Sequence, residues 1–258
     1  MQLILDEPWQ LSPLTDRSLP QRDLTLPAPL SDALPDRLSN SAIVNQEWHL
    51  MHDFEINEAL FQNTMAYDLV IAGIEYDAQI RVNGVAVFDC DRSQLQYHKE
   101  ITHCIHQGKN RIEILFVQEE EDLFGEASQL PSSAPAQAAI GIWQVPKIDL
   151  IQHVRLQQVT VEQVWHYDNL CELRVTMNYE VLKADLISAT IKFNGMAYQV
   201  PLDMRATQAQ SIFQVDAPHY YSPDDATLEY HVYVDVDGQS RVTPVRFSPR
   251  DESSSRFQ

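Results

Sequence analysis

A cluster of polar and aromatic side chains lies in the predicted loop after the hairpin at Asn83-Gly84. Carboxylates and amides fix the hydroxyl groups of a sugar, while an aromatic ring packs against the sugar's apolar face. The residue types therefore make this stretch a candidate carbohydrate-binding site. The alternative is a solvated loop at the edge of a β-sandwich, where the same side chains only face water. The candidates are Asp89, Asp91, Arg92, Gln94, Tyr97 and His98.

Two other groups of residues have the chemistry of metal ligands without the spacing. Three histidines and a cysteine crowd together but match none of the zinc spacings. The acidic run at 119–122 lacks the regular ligand positions and the glycine of an EF-hand loop, and a solvated loop is favoured. Neither G-x-S-x-G, H-E-x-x-H nor a glycine-rich phosphate loop occurs, so we predict no metal and no cofactor. The crowded residues are His98, His103, Cys104 and His106.

The tryptophans are a further set of candidate ligand contacts. Trp143 has the ring to stack on a sugar, but its place at the start of a strand favours packing at an interface between domains. Trp9 and Trp48 are predicted to be core residues. The triplet at 165–167, Trp-His-Tyr, lies near a turn, where it either packs internally or forms an exposed aromatic patch for a partner.

Composition limits the kinds of partner. The 258 residues carry 18 Lys and Arg against 37 Asp and Glu, a formal charge of -19, which is the wrong sign for binding phosphates. Nucleic acid and anionic membrane surfaces are therefore not expected partners. No apolar run approaches the roughly 18 residues of a membrane span. Three cysteines without paired spacing indicate reduced thiols, and a cytoplasmic location is the expectation.

The elements that must position these residues are strands. Short segments rich in Val, Ile, Phe and Tyr alternate with turn residues, and no sustained helical period occurs. Asn83-Gly84, Asn194-Gly195 and Asp237-Gly238 each separate two such segments, and these residues tolerate the positive φ of a type I′ hairpin turn. The sequence therefore predicts an all-β protein built from sandwiches.

The length and the residue pattern of the chain predict two domains. The first covers 1–152, where 1–42 is a Pro-rich, extended lead-in wrapped over a core. The second covers 153–248, a size that suits an immunoglobulin-like sandwich of about 100 residues. A long acidic loop at 118–140 separates two strands of the first domain, and 249–258 is expected to be a flexible tail.

Four elements in order carry a resemblance to a known family. They are Gly73-Ile74-Glu75 opening a strand, Asn83-Gly84 at the hairpin of that strand, Gly108-Lys109-Asn110 before a strand, and Gly141-Ile142-Trp143 before a further strand. This pattern resembles the N-terminal sugar-binding domain of glycoside hydrolase family 2, which includes β-galactosidases, β-glucuronidases and β-mannosidases. The resemblance extends over about residues 43–248. It implies a jelly-roll, galactose-binding-like sandwich followed by an immunoglobulin-like one, and it places Asp91-Arg92-Ser93 near the family's sugar site.

The resemblance also implies what this stretch of chain does not contain. In that family both catalytic glutamates lie in a third domain, a (β/α)₈ barrel that alone needs about 250 residues. The loop at 118–140, which in relatives helps line the barrel's active site, has no Trp, Tyr, His, Lys or Arg at 119–139. We therefore expect a non-catalytic module that binds carbohydrate or a protein, including a second copy of itself. The alternatives are a fragment or split subunit whose barrel lies on another chain, and a structural adaptor without sugar binding.

Overall fold

The computed structural model describes residues 1–35, 38–74, 76–117, 140–166, 170–222 and 229–248. The chain forms two compact units that meet in sequence between Leu150 and Ile151. Strands dominate both units, and the helices are short. Within the described ranges, no helix combines the length and the apolar character that crossing a membrane requires.

The first unit is a sandwich of a six-stranded and a four-stranded sheet. The strand orders are β3-β2-β5-β10-β7-β8 and β1-β12-β6-β9, and β4 and β11 pair separately. Its helices are α1 (Asn40–Val44), α2 (Glu58–Asn63) and two 3₁₀ turns at Leu30–Ala33 and Thr102–Cys104. Its strands are β1 (Gln2–Ile4), β2 (Trp9–Pro13), β3 (Arg22–Leu24), β4 (Ala28–Pro29), β5 (Trp48–Ile56), β6 (Ala66–Ala72), β7 (Ala78–Val82), β8 (Val85–Cys90), β9 (Gln96–Glu100), β10 (Gly108–Phe116), β11 (Gly141–Ile142) and β12 (Lys147–Ile151).

Alternating side chains build the core of this unit. In β5 every second residue from Trp48 to Ile56 is buried, and the residues between them are half-buried or exposed. Trp9 and Trp48 are both fully buried, which confirms the prediction that they are core residues. Their indole N–H groups donate to the carbonyls of Leu5 at 3.0 Å and Ile43 at 2.9 Å, so neither leaves a buried polar group unpaired.

The segment predicted as an extended lead-in is more regular than expected. It contributes β2 and β3 to the six-stranded sheet, where β2 pairs with β5 through Gln10 opposite Met51. It also supplies β1, which pairs with β12. The prolines of the segment lie at strand ends or between strands, where no ladder N–H is needed, and this lets a Pro-rich sequence belong to the sheets.

The described residues of the second unit form seven strands in a sandwich of the immunoglobulin type. One sheet has the order β13-β14-β17 and the other the order β16-β15-β18-β19. Antiparallel hairpins join β13 to β14, β15 to β16 and β18 to β19, and the other three connections pass from one sheet to the other. The strands are β13 (Val154–Trp165), β14 (Leu170–Val181), β15 (Ser188–Phe193), β16 (Met196–Pro201), β17 (Gln208–Asp216), β18 (Tyr230–Val236) and β19 (Gln239–Val245).

The three predicted hairpin turns are confirmed. The residue pairs have φ values of 50° and 79° at Asn83-Gly84, 45° and 79° at Asn194-Gly195, and 47° and 75° at Asp237-Gly238. Positive φ at both central residues is the geometry of a type I′ turn.

The all-β fold, with a galactose-binding-like sandwich before an immunoglobulin-like one, is also confirmed. The loop predicted at 118–140, except Ile140, and the tail at 249–258 lie outside the described residues.

One hairpin turn in the second unit also anchors a neighbouring strand. The Asp237 carboxylate accepts hydrogen bonds from the backbone N–H groups of Gln152 at 3.0 Å, His153 at 2.6 Å and Val154 at 3.0 Å. Its side chain is only 7% exposed. Next to it, the buried Gln239 side chain accepts from Leu156 N and donates to Val154 O. The β18–β19 hairpin therefore fixes the start of β13.

Candidate functional site

The candidate site is built on the β7–β8 hairpin. Val82 pairs with Val85 beside the turn, and a bulge between Ile80 and Arg81 shifts the register by one residue. As a result Gln79 lies opposite Asp89, and Ala78 lies opposite Cys90. The bulge thus brings the polar residues at the start of β7 beside those at the end of β8.

A tight network holds the loop between β8 and β9. Asp91 Oδ1 accepts hydrogen bonds from Ser93 N at 3.1 Å, from Ser93 Oγ at 2.5 Å and from the Tyr97 hydroxyl at 3.0 Å. These bonds, led by the one from the Ser93 hydroxyl, hold the pKa of Asp91 below its ordinary value. Burial, with help from Asp91, raises the pKa of Tyr97. The Asp91 carboxylate is therefore ionised and fixed in place at neutral pH.

Arg92 takes an unusual backbone conformation in the same loop. Its φ is 61°, in the left-handed region that non-glycine residues seldom adopt. Its guanidinium Nε lies 3.2 Å from Asp77 Oδ1, the residue just before β7. This ion pair ties the loop to the adjacent strand.

These elements enclose a cleft of about 460 Å³, which we call the Asp89 cleft. Three of the predicted site residues, Asp89, Asp91 and Arg92, line it. Asp77 and Gln79 join them as lining residues that the sequence did not single out. The wall therefore offers three carboxylates, one amide and one guanidinium. The lining is formed by residues 77–79, 89–92 and Val117.

Cys90 also lines the Asp89 cleft, but its thiol is not a nucleophile at neutral pH. Its side chain is buried, and burial together with the neighbouring carboxylates raises its pKa to about 12. Only a thiolate attacks as a nucleophile or binds a metal. The cleft is thus a place for hydrogen bonding and charge pairing rather than for covalent chemistry at sulfur.

A thiol-labelling experiment tests this environment. All three cysteines are free and buried, and burial also raises the pKa values of Cys104 and Cys171. At pH 8 a pKa near 12 leaves a thiolate fraction roughly a thousandfold below that of an exposed cysteine. We expect negligible reaction of the native protein with Ellman's reagent, and three equivalents after denaturation in guanidinium. Rapid labelling of Cys90 in the native protein would contradict this description of the cleft.

The remaining predicted site residues lie elsewhere. Gln94 is exposed in the loop, and Tyr97 and His98 lie on β9 rather than in a loop as the sequence suggested. Tyr97 acts on the cleft through its hydrogen bond to Asp91, and its ring stacks on Phe88 with centroids 5.8 Å apart. His98 faces Asp68 of β6, with 3.4 Å between Nε2 and Oδ2.

Trp143 packs against two glycines of the first unit. Its backbone N–H donates to Gly73 O at 2.9 Å, and a Cβ built on Gly73 would lie 3.0 Å from Trp143 Cβ. A Cβ on Gly141 would lie 2.6 Å from Cη2 of the same ring. Gly73 and Ile74 lie between β6 and β7 rather than opening a strand as predicted, and an isolated bridge between Ile74 and Ile142 closes this corner. Gly73 and the Gly-Ile-Trp triplet are therefore one packing unit, and the half-buried ring is part of it.

The other two elements of the sequence pattern are also structural. Asn83 Nδ2 donates to Cys104 O at 2.7 Å and to Asn110 Oδ1 at 2.9 Å, and its Oδ1 accepts from Arg111 N at 2.8 Å. Asn110, only 2% exposed, donates to His106 O and Gly108 O. These two amides join the β7–β8 turn to the loop before β10.

The histidines and the cysteine that crowd together in sequence do not meet as ligands. His103 and Cys104 are in a 3₁₀ turn, and His106 Nδ1 lies 3.1 Å from Asn83 Nδ2. Across the described ranges, no group of three or more His, Cys, Asp or Glu side chains is placed to hold a metal ion. In the 165–167 triplet, Trp165 packs edge-on against Phe247, and Tyr167 lies outside the described residues.

Comparisons with solved structures give the fold a context. The chain superposes on the β-D-mannosidase of Dictyoglomus thermophilum with a TM-score of 0.68 at 13% identity, covering 94% of this chain and 36% of that one. It superposes on a putative β-galactosidase from Bacteroides fragilis with a TM-score of 0.63 at 13% identity, covering 96% of this chain and 41% of that one. For a glycosyl hydrolase family 2 member from Bacteroides cellulosilyticus the TM-score is 0.65 at 16% identity, and the superposition covers 95% of this chain and 36% of that one. The chain therefore spans well under half the length of these proteins.

Sequence comparison assigns the family. No curated protein matches the chain. Residues 25–161 match the family described as glycosyl hydrolase 2 galactose-binding domain-like. The match includes the Asp89 cleft, all four elements of the sequence pattern and the strands from β4 to most of β13. Because it covers more than half of the 258 residues, the chain belongs to the glycosyl hydrolase 2 galactose-binding domain-like family.

Proposed function

We propose that the chain binds carbohydrate through the Asp89 cleft. The observation that carries the proposal is the convergence of Asp77, Asp89 and Asp91 with Gln79 and Arg92 on one concave surface of a galactose-binding-like sandwich. Ionised carboxylates accept hydrogen bonds from sugar hydroxyls, and the amide and guanidinium donate to hydroxyl and ring oxygens. A saccharide has both kinds of group on adjacent carbon atoms.

The fixed geometry of the loop supports binding. Asp91 is held by Ser93 and Tyr97, and Arg92 is held by Asp77, so these side chains lose little freedom when a ligand arrives. Preorganisation of this kind lowers the entropic cost of association. Val117, 39% exposed at the rim, adds apolar area for the face of a sugar ring.

The charge of the cleft indicates which saccharides fit. Three carboxylates line it against one guanidinium, and that guanidinium is already paired with Asp77. A uronate or sulfated sugar would bring a further negative charge to an acidic wall. We therefore expect neutral sugars to bind more tightly than their uronic acid counterparts.

Calorimetric titration with variants tests the proposal. Methyl β-galactoside, β-glucoside and β-mannoside are titrated beside methyl β-glucuronide. We expect one neutral glycoside to bind in the millimolar range or tighter. Asp89→Asn removes a charged acceptor from an exposed side chain and should weaken binding about tenfold, since a hydrogen bond to a charged group contributes roughly 1.5–3 kcal/mol.

The control is Glu162→Gln, which removes an exposed charge from β13 of the second sandwich, where it pairs with Arg174 at 3.6 Å. This variant should bind sugar as the unmodified chain does. The absence of millimolar binding to every glycoside, or equal affinities of the Asp89→Asn and Glu162→Gln variants, would reject the proposal and favour an adaptor without sugar binding.

A second candidate function is a non-catalytic part of a glycosidase whose barrel lies elsewhere in a longer chain or on a separate chain. The observation that favours it is that the chain covers only 36–41% of the three hydrolases compared above. Incubation of the chain alone with nitrophenyl β-galactoside, β-glucuronide and β-mannoside tests it. We expect no release of nitrophenolate, and turnover by this chain would contradict both candidate functions.

A further inference from the structure

The strand β16 forms an edge of the second sandwich. It stands at the end of the order β16-β15-β18-β19, and no strand of the described residues pairs with its other side. Next to a two-residue turn, paired residues alternate between those that exchange both backbone hydrogen bonds and those that exchange none. The bond from Leu202 N to Ile187 O at 2.9 Å continues this alternation along β15 and β16. The N–H and C=O groups of Ala197 and Gln199 therefore point away from β15, and we call them the β16 edge.

The opposite side of the second sandwich is closed by side chains that bond to backbone. There β13 is the end strand of one sheet and β19 that of the other. The Gln239 side chain accepts from Leu156 N at 3.0 Å and donates to Val154 O at 2.6 Å, and Gln163 Nε2 donates to Arg246 O at 3.0 Å. Within the described ranges, no side chain bonds in this way to the β16 edge. The β16 edge is therefore the open one.

An aromatic side chain is exposed at the centre of β16. Ala197, Tyr198 and Gln199 are three consecutive exposed residues of this strand. Tyr198 is 42% exposed, although its ring stacks on the fully buried Phe213 with centroids 4.7 Å apart. One face of the ring is thus fixed by the core, while the remaining surface faces water beside the open edge. A rigid, half-covered aromatic ring is a favourable contact for a partner.

The strand lacks the usual features that prevent edges from pairing. Edge strands of monomeric proteins commonly carry charged residues, bulges or prolines within the strand. β13 has a register shift between Leu156 and Gln158, and β19 contains Arg241 and Pro244. β16 has no charged residue and no register shift, and its proline is its last residue. We therefore treat the β16 edge as a surface that pairs with another strand.

We propose that β16 pairs antiparallel with β16 of a second copy of the chain, across a two-fold axis at Tyr198. In this register Ala197 of each copy lies opposite Gln199 of the other, so the outward N–H and C=O groups of both residues exchange hydrogen bonds. The two Tyr198 residues become a directly opposed pair without hydrogen bonds between them. Side chains approach most closely in such pairs, and aromatic pairs there are stabilising.

The charge pattern favours a second copy over a charged partner. A strand that pairs with itself must avoid like charges opposite one another, because such pairs are destabilising. Residues 188–201 contain no acid, although the chain has a net charge of -19, so two copies meet here without opposed carboxylates. The one charge in this range, Lys192, already pairs with Asp235 at 3.8 Å. An acidic or a basic strand would therefore gain little from this edge.

Sedimentation velocity of the whole chain measures the association. One short strand from each copy makes a small interface, and small interfaces are weak. We expect a reversible dimer with a dissociation constant on the order of 100 µM, seen as a rising sedimentation coefficient between about 10 µM and about 1 mM protein. A chain that stays monomeric at about 1 mM would overturn the proposal.

Two double variants test the register. Ala197→Lys with Gln199→Glu places opposite charges across the axis in both opposed pairs, whereas Ala197→Lys with Gln199→Lys places like charges there. Both positions are exposed, so both variants should fold, which circular dichroism checks. We expect the like-charge variant to dimerise at least about tenfold more weakly than the opposite-charge variant.

Val242→Lys is the matched control. It adds a lysine at a 53% exposed position of β19, the end strand on the other side of the same sheet, and should dimerise as the unmodified chain does. Equal dissociation constants of the two double variants, or a like-charge variant that dimerises as well as the unmodified chain, would overturn the proposal. None of these results depends on whether the Asp89 cleft binds sugar.

Discussion

Replacing Gly141 with alanine is expected to lower the free energy of unfolding of the first sandwich by about 4 kcal/mol, because overpacking of this kind forces backbone movement. The new Cβ would lie 2.6 Å from Trp143 Cη2 and 2.8 Å from Pro29 Cα. The indole can turn away from the first contact. The second contact is with backbone, in β4, which pairs directly with β11 through Pro29 and Gly141. The two strands therefore have to separate.

Gly84→Ala is the matched control. Gly84 has a φ of 79°, so alanine is strained there, but no atom lies within 4 Å of the added Cβ. Only the conformational cost of about 1–2 kcal/mol remains. Denaturant unfolding followed by tryptophan fluorescence measures both variants, since three of the four tryptophans, Trp9, Trp48 and Trp143, belong to the first sandwich. Equal losses of stability in the two variants would contradict the steric cost expected at Gly141.

Asp237→Ala is expected to destabilise the second sandwich by about 3–4 kcal/mol. The substitution leaves three backbone N–H groups, those of Gln152, His153 and Val154, without their acceptor. Each unsatisfied buried group costs roughly 1–3 kcal/mol, although partial access of water reduces the sum. The φ of 47° at this position adds a further penalty for alanine.

Two variants separate the loss of the acceptor from the backbone strain. Asn194→Ala places alanine at a φ of 45° in the same kind of turn, so it reports the strain alone. Asp237→Asn keeps one side-chain oxygen and a residue that tolerates positive φ, so it should lose less than alanine does. Thermal unfolding monitored through Trp165, which packs on Phe247 in this unit, measures all three. If Asp237→Ala were no worse than Asn194→Ala, the carboxylate would not be an anchor.

Local turn chemistry made the hairpins predictable from sequence. The type I′ turn at Asn83-Gly84 requires positive φ at both central positions, and few other dipeptides adopt this conformation at low cost. The alternation of buried with half-buried or exposed residues in Trp48–Ile56 is likewise typical of a strand. β9 was missed because only Tyr97 of its five residues is buried, so it has no apolar alternation to recognise. Its place in the sheet comes from pairing with the buried β6.

Only some of the residues that line the Asp89 cleft could be predicted from the sequence. Asp89, Asp91 and Arg92 follow the hairpin closely, and their polarity singles them out. Asp77 and Gln79 reach the same surface because of the bulge between Ile80 and Arg81. A regular two-residue hairpin would have paired Gln79 with Phe88 instead. A bulge of this kind has no signal in the residues themselves, and its position depends on packing against neighbouring strands.

The sequence also does not show which residues far apart in the chain pack or hydrogen-bond together. Gly73 and Gly141 stand 68 positions apart, and only the fold shows that both are glycine because the Trp143 ring and backbone lie against them. Asn83 and Asn110 similarly meet through one hydrogen bond. Three-dimensional contacts of this kind explain why the four-element pattern consists mainly of residues that build the galactose-binding-like sandwich.

An amide NMR titration tests directly whether carbohydrate binds in the Asp89 cleft. Uniformly ¹⁵N-labelled protein is titrated with the methyl glycosides into the millimolar range. Binding in this cleft predicts saturable shifts confined to the first sandwich and centred on residues 77–79, 89–92 and Val117. Absence of any shift, or saturable shifts only in the second sandwich, would contradict it.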